Sequence, residues 1–135
     1  MLREVNGGPQ VVVCSTCRHS AEAAEDGEGR RGGAVLATAL RQVRDAVPAL
    51  AGIDIEDMPC LFACTSHCAV HIRAPGKIGY VLGGFAPDTA AAAAILAYVA
   101  AHAQSPDGVV PYAQWPEGVK GHFIVRVPPE GSVAT

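Results

Sequence analysis

Two knots of cysteine constrain this chain more than any other feature. Cys14 and Cys17 stand in Val13-Cys14-Ser15-Thr16-Cys17, and Cys60, Cys64 and Cys68 stand in Cys60-Leu61-Phe62-Ala63-Cys64-Thr65-Ser66-His67-Cys68. A lone cysteine reads most simply as a small buried hydrophobe. Five of them, an odd number in two tight groups, fit metal or redox chemistry better than a disulfide framework. Any fold must then carry two segments that are distant in sequence to one place.

The chain can afford such a fold. At 135 residues, half of them hydrophobic, it has the length of one domain (1–135) and enough apolar surface for a core without disulfide staples. A net charge of −3 offers no patch for nucleic acid. No apolar run of about 18 residues is present, so no membrane span is expected. The segment Met1–Pro9 has no apolar signal core, which predicts a cytoplasmic protein whose thiols stay reduced.

Periodicity divides the chain into a core, 10–104, and an extension, 105–135. Gln10–Cys14 is a β-branched run bounded by Pro9 and predicts a buried strand. Residues 17–33 mix glycines with Glu22, Glu25, Asp26, Glu28, Arg30 and Arg31 and predict a long mobile loop. Ala34–Val47 places Leu36, Ala39, Leu40, Val43 and Val47 on one helical face, and Pro48 stops it. Ile53–Glu56 alternates as a half-covered strand. Ala69–Arg73 and Ile78–Leu82 flank Pro75-Gly76-Lys77 as a hairpin. Asp88–Gln104 is an alanine-rich helix. The order is β-α-β-β-β-α, a thioredoxin-like α/β fold with a right-handed crossover. The extension holds Trp115, Phe123, Ile124 and Val125 among five prolines and predicts an irregular tail that wraps the core or meets a partner subunit.

Thiolates are soft ligands that select iron–sulfur clusters, zinc or copper(I). The two-residue gap between Cys14 and Cys17 spans a turn, and the three-residue gap between Cys60 and Cys64 spans a tight loop. Each spacing lets both sulfurs face one centre. The working ligand set is therefore Cys14, Cys17, Cys60 and Cys64, with Cys68 as an alternative for Cys17. Backbone N–H groups of Thr65–Cys68 are the expected donors to the sulfurs. Two other readings stay open. Cys14 and Cys17 could be a redox dithiol, although a glycine-rich loop rather than a helix follows them. Cys60, Cys64, His67 and His71 could share one face of a helix over 59–72. His19 sits near Cys17 as a remote Rieske-type possibility, and His102 and His122 read as surface residues. No P-loop, dinucleotide motif or Ser-His-Asp arrangement is present, so acid–base catalysis is not supported.

These residues carry a resemblance. Cys60-Leu61-Phe62-Ala63-Cys64 followed by a hairpin resembles the second half of the thioredoxin-like 2Fe–2S ferredoxins, which include small dimeric bacterial ferredoxins and a subunit of respiratory complex I. In those proteins the first cysteine pair is commonly spaced more widely, and proline tends to stand where this chain has Cys68. From Val11 to Pro129 the chain also resembles a bacterial family described only as predicted metal-binding proteins of unknown function. The shared elements are Val13-Cys14-x-x-Cys17-Arg18, Cys60-Leu61-x-x-Cys64-x-x-x-Cys68-x-Val70, Ala74-Pro75-Gly76-Lys77, Ser105-Pro106-Asp107-Gly108 and Arg126-Val127-Pro128-Pro129.

The resemblance implies an electron-transfer protein with one 2Fe–2S cluster, a redox partner protein and a homodimer. Members of the second family look like companions of cobalamin biosynthesis, which implies the alternative of a metal carrier or chaperone for cobalt. A zinc-binding protein and a disulfide reductase using Cys14 and Cys17 complete the set.

Overall fold

The computed structural model describes residues 1–63 and 65–135. Among the described residues five strands and two α-helices follow one another, beside three short 3-10 turns: β1 (Gln10–Cys14), α1 (Gly32–Ala46), β2 (Asp54–Met58), β3 (Val70–Arg73), β4 (Gly79–Leu82), α2 (Thr89–Gln104) and β5 (Phe123–Val127). The strands form one sheet in the order β2-β1-β3-β4-β5. β1 and β2 run parallel through the α1 crossover, and every other neighbouring pair is antiparallel.

One core holds the two helices against the sheet. Val11 and Val13 of β1, Val70 and Ile72 of β3 and Leu82 of β4 pack with Leu36 and Leu40 of α1 and with Ile95, Leu96 and Val99 of α2. Strand alternation sends the intervening residues to the other face. There Val12, His71, Val81 and Val125 stand in register across four strands.

α1 buries the face that the periodicity predicts, apart from Val47, which is 39% exposed. The helix ends at Ala46 because Pro48 pushes the residue before it into extended backbone, φ −121° and ψ 106° at Val47. Arg41 ties the outer side of α1 to β2 through Asp57, at 2.8 Å. α2 is capped by the Asp88 carboxylate, which accepts the Ala91 N–H at 2.8 Å.

Three sequence expectations are corrected. The extension is irregular only in part, since β5 joins the sheet beside β4. Trp115 and Phe123 find cover within the chain, while Tyr112 stays exposed. Trp115 stacks on Phe123 at 4.5 Å, and its indole N–H donates to the Val110 carbonyl. His102 is fully buried, with its Nε2 2.6 Å from the Ile78 carbonyl, and His122 stacks on Phe85 at 4.2 Å. Its spacing from Ile95 and Tyr98 puts His102 on the buried stripe of α2, a signal present in the sequence. The loop after Cys17 is also not structureless. The Asp26 carboxylate accepts the N–H groups of Glu28 and Arg30 and pairs with the Arg30 guanidinium, and Glu25 and Arg31 form an isolated antiparallel backbone pair.

Candidate metal centre

The site lies where the central strand β1 runs out. Cys14 is its last residue. The Cys14 N–H donates to the Ala69 carbonyl at the entry to β3, and the Ser15 N–H donates to the Met58 carbonyl at the end of β2. Cys14 is thereby fixed between both neighbouring strand ends. The chain then turns back, with the Cys17 N–H on the Cys14 carbonyl at 3.3 Å.

The first turn of α1 backs this loop so closely that only glycine fits. A Cβ on Gly33 would stand 1.7 Å from the Cys14 carbonyl oxygen, and one on Gly32 would stand 2.3 Å from that of Arg18. The Gly33 N–H bonds the Cys17 carbonyl at 3.2 Å. Arg31, just before the helix, donates Nε and Nη2 to the Thr16 carbonyl at 3.0 and 2.7 Å.

The second segment comes off β2. Thr16 joins it to the first, because its hydroxyl accepts the Cys60 N–H at 3.2 Å. A cavity of about 200 Å³ opens between the segments, lined by Cys14, Thr16, Cys17, Arg31, Cys60 and Ser66 among others. Three larger hollows, near the N-terminal tail, beside residues 105–111 and between Ile78 and residues 129–135, are lined by no described cysteine.

Backbone N–H groups turn toward sulfur around this cavity. Phe62 donates to Cys60 Sγ at 3.3 Å, Ala69 donates to Cys17 Sγ at 3.4 Å, and Leu61 donates to Cys14. Three described non-glycine residues of the second segment take left-handed backbone, Cys60 at φ 55°, Phe62 at 57° and Cys68 at 50°. Each costs an L-residue roughly 1–2 kcal/mol, and changes of backbone hand are what gather N–H groups into a concave nest. The described donors to the sulfurs of Cys14, Cys17 and Cys60 include Leu61, Phe62 and Ala69, and the expected donation from residues 65–68 to Cys64 lies outside the described residues. The Ser66 N–H bonds the Ala63 carbonyl.

The thiols are not equivalent. Burial alone would raise the Cys14 pKa, but bonds from the Cys17 thiol, the Leu61 N–H and Thr16 hold it below the ordinary thiol value. Burial, and then the neighbouring sulfurs of Cys17 and Cys14 and the carboxylate of Asp88, push Cys68 up to about 12. Its protonated thiol donates to the Arg18 carbonyl, with sulfur and oxygen 3.5 Å apart. Cys68 is wholly buried and belongs to the main core beside Val13 and Val70.

Of the residues singled out by sequence, Cys14, Cys17 and Cys60 therefore line one cavity, while Cys68 packs into the core. Cys64 lies outside the described residues. Among the described residues no three His, Cys, Asp or Glu side chains converge tightly enough for a single metal ion. Among the described residues no helix carries Cys60, His67 and His71 on one face. His71 is on β3, with its ring packed against Gly79, and no helix spans 59–72 among the described residues. Residues that sequence reasoning passed over are Thr16, Arg31 and the Gly32-Gly33 pair. Only the glycines, set directly before a helical run, left a readable trace.

Among solved structures, the chain is similar to a thioredoxin-like [2Fe-2S] ferredoxin from Aquifex aeolicus. The two share 18% identity and a TM-score of 0.54, over 95% of this chain and 100% of the other. The fold is that of the thioredoxin-like ferredoxins. No curated protein matches the chain. Among the described residues no helix is long and apolar enough to cross a membrane. A family model described as a protein of unknown function, DUF1636, matches residues 11–129, and the chain belongs to that family.

Proposed function

We propose that this protein carries a 2Fe–2S cluster on Cys14, Cys17, Cys60 and Cys64 and passes electrons to a redox partner protein. One observation carries the reading. Thiols from two distant segments line one cavity, and backbone N–H groups already point at their sulfurs. The donor set fits the group, since soft thiolates are the usual ligands of such clusters. A bound cluster would supply one-electron chemistry at a potential that hydrogen bonds to sulfur and local charge adjust.

The chain's own residues account for the rest. The N–H groups of Leu61, Phe62 and Ala69 meet negative charge on sulfur, and the Arg31 guanidinium adds positive charge at the cavity wall. Cys68 stays protonated in the core and serves packing. Self-association as a homodimer belongs to the same reading. It is supported by Ile124, Val125 and Val127 of β5, an edge strand whose apolar side chains are 36–49% exposed. A monomer mass by light scattering at tens of micromolar protein would reject that part.

The test of the main reading is protein purified without air, assayed for iron, acid-labile sulfide and visible absorption. Red-brown protein with iron and sulfide in equal amounts is the expected result. Colourless protein holding zinc, or protein holding cobalt, would favour the metal-carrier alternative, and metal-free protein would favour a dithiol reductase.

A further inference from the structure

We infer that Thr16 is a positioning residue for the Cys14 sulfur, its hydroxyl spanning the two cysteine segments. The inference rests on the cluster reading above and deepens it.

Thr16 Oγ1 accepts the Cys60 N–H at 3.2 Å and lies 3.8 Å from Cys14 Sγ. A threonine hydroxyl has two lone pairs and a single proton. The Cys60 N–H occupies one lone pair, so the proton remains available for a second partner. A sulfur that ligates metal has lost its own proton. Between Thr16 and a ligating Cys14 the hydroxyl must therefore be the donor, and the pair forms an O–H to sulfur bond aimed by the Cys60 contact. Such bonds stabilise the added negative charge of the reduced state and so raise the potential.

Two further features make the hydroxyl a fixed part of the site rather than a passing neighbour. Arg31 grips the Thr16 carbonyl with two N–H groups, which ties the residue to the start of α1. Its partner Cys60 is held in left-handed backbone, at φ 55°, where an anchored N–H helps offset the strain. Thr16 itself is exposed. Replacing it disturbs no core packing, so the hydroxyl can be tested separately from the fold.

The experiment uses the full chain purified without air, as wild type, Thr16→Val and Thr16→Ser. Iron and sulfide content, visible absorption, far-ultraviolet circular dichroism and midpoint potential are measured on each. Thr16→Val, which keeps the shape and loses the hydroxyl, is expected to show a lower potential and shifted absorption bands. Thr16→Ser is expected to restore both. A Thr16→Val protein at the wild-type potential would overturn the inference. So would a Thr16→Ser protein displaced as far as the valine variant, because the methyl group would then be the cause. Should Thr16→Val fold but carry no iron, a loaded Thr16→Ser supports the role and an empty one overturns it. Wild-type protein without iron and sulfide would bring down the cluster reading itself, and this inference with it, before any variant is compared.

Discussion

The two cysteine segments reach the same cavity by opposite means. The first is held from outside. Cys14 ends a buried strand bonded to both neighbours, and α1 presses two glycines onto the loop that follows. Its geometry comes from packing, and its residues stay in ordinary backbone. The second segment bends through its own strained turns and is tied to the rest of the chain at Thr16 and Gly84. Cys60, Phe62 and Cys68 accept left-handed backbone, and Phe62 is left 94% exposed. Local preference opposes each of those choices. The first half of the site is thus rigid by burial. The second stores strain, as functional sites commonly do.

The comparison can be broken most sharply at Gly33. Alanine has the better intrinsic helix propensity by about 1 kcal/mol, yet its Cβ would sit 1.7 Å from the Cys14 oxygen. Backbone overlap on that scale outweighs propensity. Gly33→Ala should lose about 3 kcal/mol or more, read as a lower urea midpoint, and should fail to take up iron. A stable, iron-loaded variant would show that packing on α1 does not set the first segment.

The next largest effect separates Cys17 from Cys68. Cys17→Ser should lose or shift the cluster, because a hydroxyl replaces a soft thiolate on the cavity wall. Cys68→Ser should keep a near-native spectrum and iron content while losing roughly 1–2 kcal/mol of stability for a polar group placed in the core. The reverse pattern would make Cys68 the ligand and the rigid segment a one-cysteine contributor.

The smallest effect concerns the strain. Phe62 is exposed, so its replacement sacrifices little packing, and asparagine tolerates left-handed backbone. Phe62→Asn should stabilise the metal-free protein by up to about 1 kcal/mol. Thermal melts of matched metal-free samples check it. An unchanged or lower midpoint would mean that the aromatic ring compensates for its own backbone.

The sequence alone determined much of the scaffold. Gln10–Cys14 announced its strand by a β-branched run, the two helices by their apolar spacing or alanine content, and the hairpin by Pro75-Gly76-Lys77. Those signals are local, and local propensity agreed with the fold at each. The cysteines marked the candidate site, because soft ligands in two groups have few other uses. β5 was hidden because Phe123-Ile124-Val125-Arg126-Val127 does not alternate, and its edge position puts few demands on pattern. Tertiary structure alone decided the rest. The left-handed backbone of Cys60, Phe62 and Cys68 runs against what those residue types prefer. Nothing in the sequence joins Thr16 to Cys60 or Arg31 to Thr16. Cys17 and Cys68 differ in the fold because one faces the cavity and the other the core, a distinction made by neighbours that only the folded chain brings near.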